Sequence, residues 1–82
     1  MEPEIWVEKE DEVFVVRGKQ VERLVAMTNF NLRDAVERTA FILKKMGVER
    51  TLLAFGAMYG DPVKIGTMEF TLQTEPEIKG RR

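Results

Sequence analysis

The stretch from Asn31 to Gly47 constrains this chain most: Leu32, Ala35, Val36, Thr39, Ile42, Leu43 and Met46 recur there at three- and four-residue steps. That spacing lays one apolar stripe along a 3.6-residue period, with Arg33, Asp34, Glu37, Arg38, Lys44 and Lys45 elsewhere around the axis, and predicts an amphipathic helix. Asn31 is expected to cap its first turn, with Asp34 three residues on forming an Asn-for-Ser capping box, and Phe30 and Ala35 are placed to staple the entry. Lys44 and Lys45 fall in the last turn, where positive charge is favoured, and Gly47 supplies the left-handed residue that ends the helix. A stripe of this kind must be covered, so the rest of the chain has to build a layer beneath it.

That layer reads as a sheet. Ile5 to Glu8 and Val13 to Arg17 are rich in β-branched and aromatic residues and read as two strands. The polar connection Lys9 to Glu12 makes them a hairpin without an Asn-Gly or Asp-Gly turn signal. Gly18 and Lys19 break the second strand, and Val21, Leu24 and Val25 mark one face of a short helix reaching about Met27. After Gly47, Val48 to Phe55 forms a third helix, with Val48, Leu52 and Phe55 on one side and Gly56 as its stop. Gly60-Asp61-Pro62 is a turn signal in which Asp61 can bond its own downstream backbone. Val63 to Ile65 follows as a strand, Gly66-Thr67 turns the chain, and Met68, Phe70 and Leu72 alternate with Glu69, Thr71 and Gln73 in a fourth strand. The expected fold is α+β: a small, mainly antiparallel four-stranded sheet covered by about three helices, in the order β-β-α-α-α-β-β. Three consecutive helices must share the faces of that sheet or pack on one another. Residues 1–82 form a single domain, with 1–4 and 74–82 as flexible ends.

The residue types present narrow the chemistry. The 82 residues contain no cysteine, histidine or serine, so a thiol or seryl nucleophile, an imidazole base and a cysteine-ligated metal are all excluded. Asp34, Glu37 and Glu69 have Arg33, Arg38 and Lys64 close in sequence as salt-bridge partners. Glu8, Glu10, Asp11 and Glu12 lack the alternating oxygen ligands of a calcium loop. The glycines are scattered, with no Gly-Lys-Ser/Thr element, so the chain has no P-loop for a nucleoside triphosphate. No catalytic, cofactor-binding or metal-binding residue is assigned, and no apolar run is long enough for a membrane span or a signal sequence.

Binding remains. The net charge of −1 hides a segregation. Up to residue 12 six acidic side chains face Lys9 alone, whereas residues 17 to 50 carry eight basic residues against four acidic ones. Arg17, Lys19, Arg23, Arg38, Lys44, Lys45 and Arg50 are the candidates for phosphate contact, and a free-standing RNA- or nucleotide-binding module is the alternative function they suggest. Phe41, Leu53, Phe55, Met58 and Tyr59 add apolar surface beyond what the stripes require; they are either core or a partner surface.

Four stretches carry a family likeness: Val15-Val16-Arg17-Gly18-Lys19-Gln20-Val21-Glu22-Arg23-Leu24-Val25, Ile42-Leu43-Lys44-Lys45-Met46-Gly47-Val48-Glu49, Gly60-Asp61-Pro62-Val63-Lys64-Ile65-Gly66, and Glu69-Phe70. In that order and spacing the segment from Val7 to Leu72 resembles the C-terminal (OCT) domain of the Obg family of ribosome-associated GTPases. The resemblance implies a cytoplasmic parent protein with a glycine-rich N-terminal domain and a central domain that binds GTP with magnesium, this chain being its third, non-catalytic domain. It implies a regulatory or accessory role through contacts with the other domains or with the large ribosomal subunit, in ribosome biogenesis and stress responses. Where the family commonly has an aromatic this chain has Thr39, and where polar or charged residues are common it has Phe41, Leu53, Met58 and Tyr59. Together with Phe55 these are expected to form a docking or self-association patch.

Overall fold

The structure is a computed structural model that describes residues 4–73. Its elements run β1 (Trp6–Glu10), β2 (Val13–Arg17), α1 (Lys19–Ala26), α2 (Arg33–Lys45), α3 (Val48–Phe55), β3 (Pro62–Ile65) and β4 (Met68–Thr71), the expected order. The four strands form one sheet in the order β1-β2-β3-β4. The β1–β2 and β3–β4 pairs are antiparallel, while β2 and β3 lie parallel, with Phe14 opposite Val63 and Val16 opposite Ile65. A parallel pair needs a crossover, and the three helices together supply it.

The period-2 alternation decides which side the helices cover. Val7, Phe14, Val16, Val63 and Ile65 share one face with Met68 and Phe70 and pack with Val21, Val25, Leu43, Val48 and Leu52 into a single core. Leu52, Ile65, Val16, Val21, Val25 and Val63 are essentially inaccessible to solvent, each contributing roughly 1.5–3 kcal/mol of transfer free energy. The helices answer the covering question in both ways at once: α1 lies on β3 and α3 on β1 and β2, while α2 packs across α1 and α3. The buried Thr39 of α2 meets Thr28 at the end of α1, their hydroxyl oxygens 2.7 Å apart, and the Thr28 hydroxyl lies 2.8 Å from the Leu24 carbonyl oxygen as well. The opposite sheet face carries Trp6, Glu8, Glu10, Val13, Val15, Arg17, Lys64 and Glu69, and among the described residues no helix lies over it.

Four local expectations are corrected. The first strand runs two residues further, to Glu10, because the hairpin closes in two residues, with Asp11 taking a left-handed φ of 56° that aspartate tolerates. The central helix starts at Arg33 with Leu32 as an extended N-cap and no side-chain cap. Ahead of the helix the Asn31 backbone N–H donates to Asn29 Oδ1 at 3.0 Å, so the side chain that organises the local turn is that of Asn29. With the cap moved, Phe30 no longer occupies the staple position, and both it and Leu32 are exposed. Asp61 bonds upstream rather than downstream, Oδ2 accepting the Met58 N–H at 2.8 Å. Gly47 and Gly56 are left-handed and bound α3, as their positions implied. Of the expected flexible ends, residues 1–3 and 74–82 lie outside the described residues.

Candidate interaction surface

The five apolar candidates are all exposed: Phe41 62%, Leu53 38%, Phe55 49%, Met58 68% and Tyr59 48%. Phe41 and Leu53 lie off the one stripe that α2 and α3 each bury, Phe55 is the last residue of α3, and Met58 and Tyr59 stand in the connection after it. Phe41 stands one turn before Lys45, whose Nζ sits 5.3 Å from the ring centroid. Together with Val36, Ala40 and Leu43 it forms one wall of a groove of about 540 Å³; Val48 and Leu52 of α3 and Met68, Phe70 and Leu72 line the remainder. The groove exists because α2 rides on the other helices and leaves the helix-facing side of β4 partly uncovered.

Lys44 and Glu49 stand at this groove and are 3.9 Å apart. The Tyr59 hydroxyl donates to Glu49 Oε2 at 3.0 Å, which ties the α3–β3 connection back to the first turn of α3. That hydrogen bond to an anion, with some burial and the charge of Glu49, raises the Tyr59 phenol above its ordinary pKa. Tyr59 is thus linked through Glu49 to Lys44 of α2. Phe55 lies at the far end of α3, its ring edge-on to Phe14 of β2 at 6.0 Å and 87°, with Lys9 Nζ 5.0 Å above Phe14. Leu53 is on the outward side of α3 and Met58 in the connection that follows it.

The seven basic candidates do not share one face. Arg17 is set apart on the uncovered side of the sheet, where its guanidinium bonds Glu8 Oε1 at 3.2 Å and Glu10 Oε2 at 2.9 Å. Glu8 also accepts the Trp6 indole N–H at 3.1 Å, and that bond, followed by the one from Arg17, holds its carboxyl below the usual range. Lys19 and Arg23 project from α1, Arg38, Lys44 and Lys45 from α2, and Arg50 from α3. Met27, Phe30 and Leu32, exposed around the α1–α2 connection, form an apolar group that the sequence reading missed. The later start of α2 puts them there, and the only hint in the sequence is the pair of asparagines, Asn29 and Asn31, beside them.

Among the described residues no group of three or more acidic, cysteine or histidine side chains could hold a metal ion, and no helix is long and apolar enough to cross a membrane. Comparison with known proteins gives a family match over residues 4–71, described as Domain of unknown function (DUF1967). Proteins named GTPase Obg are similar as well. That of Lactobacillus delbrueckii subsp. bulgaricus is 52% identical over 68 residues, which is 82% of this chain and 16% of the relative. That of Herpetosiphon aurantiacus is 44% identical over 73 residues, 88% of this chain and 17% of the relative. That of Brevibacillus brevis is 47% identical over 64 residues, 78% of this chain and 15% of the relative. The chain therefore spans about 15–17% of the length of the relatives it matches.

Proposed function

Since this chain belongs to the DUF1967 family, the C-terminal domain of the Obg GTPases, we propose that it serves a larger GTP-binding protein as a non-catalytic accessory and regulatory domain. It acts by contact, with other domains of the parent GTPase and with the large ribosomal subunit, in the cytoplasm. GTP and magnesium are held elsewhere in such a parent, because this chain has no Gly-Lys-Ser/Thr loop to cradle a triphosphate. The observation that carries the reading is the match of residues 4–71 to the DUF1967 family together with the likeness to proteins named GTPase Obg, in a chain without cysteine, histidine or serine. The contact surface on this reading is the α2–α3 side, with Phe41, Leu53, Phe55, Met58 and Tyr59 exposed on it.

The test is deletion of this segment from the full-length parent. Intrinsic GTP hydrolysis is expected to persist while co-sedimentation with large ribosomal subunits falls, and the purified chain alone is expected to turn over no GTP. Hydrolysis by the isolated chain, or its loss from the truncated parent, overturns the reading. The phosphate-binding alternative, using Lys19, Arg23, Arg38, Lys44, Lys45 and Arg50, requires affinity for RNA that falls steeply as salt rises. Binding that is insensitive to salt counts against it.

A further inference from the structure

The sheet order leaves two edges, β1 and β4, and they differ in kind. β1 carries Glu8, Lys9 and Glu10, charges of the sort that discourage edge pairing. β4 reads Met-Glu-Phe-Thr, with Glu69 as its one charge and neither proline nor lysine.

The hydrogen bonds of the next residue fix which way the β4 backbone points. The Leu72 N–H donates to the Asp61 carbonyl at 2.9 Å and the Leu72 carbonyl accepts the Gly60 N–H at 2.7 Å, so both groups face the β3 side. Alternation along a strand sends the groups of Phe70 and Met68 the same way and those of Glu69 and Thr71 outward. The outer edge therefore offers two N–H and two C=O groups with no strand beside them among the described residues. The groove under α2 runs along that same edge and exposes Met68, Phe70 and Phe41 to it. An occupant has to be extended, to meet the backbone groups, and apolar at every second position, to meet the groove. β4 itself has this chemistry, with Met68, Phe70 and Leu72 alternating with Glu69 and Thr71, and it is accessible at an edge.

We propose that two copies of this chain pair through β4, antiparallel about a two-fold axis at Phe70, to make one eight-stranded sheet. Residues directly opposite in an antiparallel pair share a face, so the two-fold registers that overlap most of β4 have their axis at Glu69 or at Phe70. An axis at Glu69 sets two carboxylates opposite each other, which is unfavourable. An axis at Phe70 sets Glu69 opposite Thr71 of the partner subunit, and Thr71 opposite Glu69 of the partner subunit. Both are outward-pointing residues, so each pair exchanges two hydrogen bonds. Phe70 then lies beside Phe70 of the partner subunit at a non-hydrogen-bonded position, where side chains approach most closely. Phe41 stands at the groove rim to cover the ring pair. The interface is isologous and therefore closes at two copies. This inference needs only the chain itself and stands independently of the accessory-domain reading.

Sedimentation of the chain from micromolar to millimolar concentration, combined with residue-resolved deuterium exchange, tests it. The expected result is a monomer–dimer equilibrium in which the Glu69 and Thr71 amides gain protection as concentration rises. Thr71→Pro removes an outward donor without removing a β3 ladder group and is expected to weaken the dimer at least about tenfold, the scale of a lost hydrogen-bonded pair. Phe41→Lys, at an exposed position that leaves folding alone, is expected to weaken it too and keeps the test intact if the proline variant fails to fold. A monomer at every concentration overturns the proposal, as does a dimer in which the Glu69 and Thr71 amides stay unprotected. A chain whose edge amides are protected at every dilution overturns it as well, because the edge is then covered from within.

Discussion

Tyr59 and Trp6 are each the sole residue of their kind, so two side-chain interactions can be read directly. The Tyr59 phenol is raised by its bond to the Glu49 carboxylate. A raised folded value contributes stability that is complete below the ordinary phenol range, near about pH 10, and is lost as pH climbs through the folded value. Absorbance titration of tyrosinate should therefore show a midpoint above that of a free tyrosine, and Glu49→Gln should bring it down. Glu8 behaves oppositely, being depressed first by the Trp6 indole and then by Arg17. Its contribution is present above the ordinary carboxylate range and disappears as pH falls through the depressed folded value. Trp6 fluorescence should report that step in acid, and Glu8→Gln should remove it. Neither interaction was legible beforehand: Glu8 reads as one of a run of surface acids, and the Tyr59–Glu49 contact joins residues ten apart whose meeting depends on how the α3–β3 connection folds back.

Helix α3 shows how sharply burial divides neighbours. Leu52 is fully buried and Leu53 is 38% exposed, so Leu52→Ala is expected to cost about 2–5 kcal/mol and Leu53→Ala about 1 kcal/mol or less in urea unfolding. The start of α1 is equally specific. Gly18 has φ 152° and ψ 136°, its N–H donates to Glu22 Oε2 at 3.0 Å, and a Cβ there would run into the Glu4 carbonyl oxygen. Gly18→Ala should lower stability by about 2 kcal/mol or more, seen as a fall in Tm, because strain and steric conflict add. Element type and order were legible because periods of 3.6 and 2 separate cleanly here, and because Gly47 and Gly56 punctuate the chain at the left-handed positions. The start of α2 was not, because the turn before it is organised by the Asn29 side chain, which accepts the Asn31 backbone N–H, and the helix then begins after Leu32 with no side-chain cap.

At the scale of the whole molecule, the central ladder joins residues 14–16 to 63–65, with all three described helices lying between them in sequence. No helix can leave without opening the core that this parallel pair holds, so far-ultraviolet circular dichroism and Trp6 fluorescence should report one coincident unfolding transition. Separate transitions would show that the hairpin melts alone. The exposure of Phe41, Leu53, Phe55, Met58 and Tyr59 was one of two readings the sequence left open. The groove beside Phe41 and the edge position of Glu69 and Thr71 among the described residues were not readable at all, because both depend on strand order, which hydrophobic patterning does not encode. That strand order also has a mechanical meaning. Since β1 and β4 run in the same direction on opposite flanks, the chain enters at one corner of the sheet and leaves at the diagonal corner. Tension drawn across the described segment therefore loads the ladders in shear, all rungs sharing the force, instead of peeling them open one at a time.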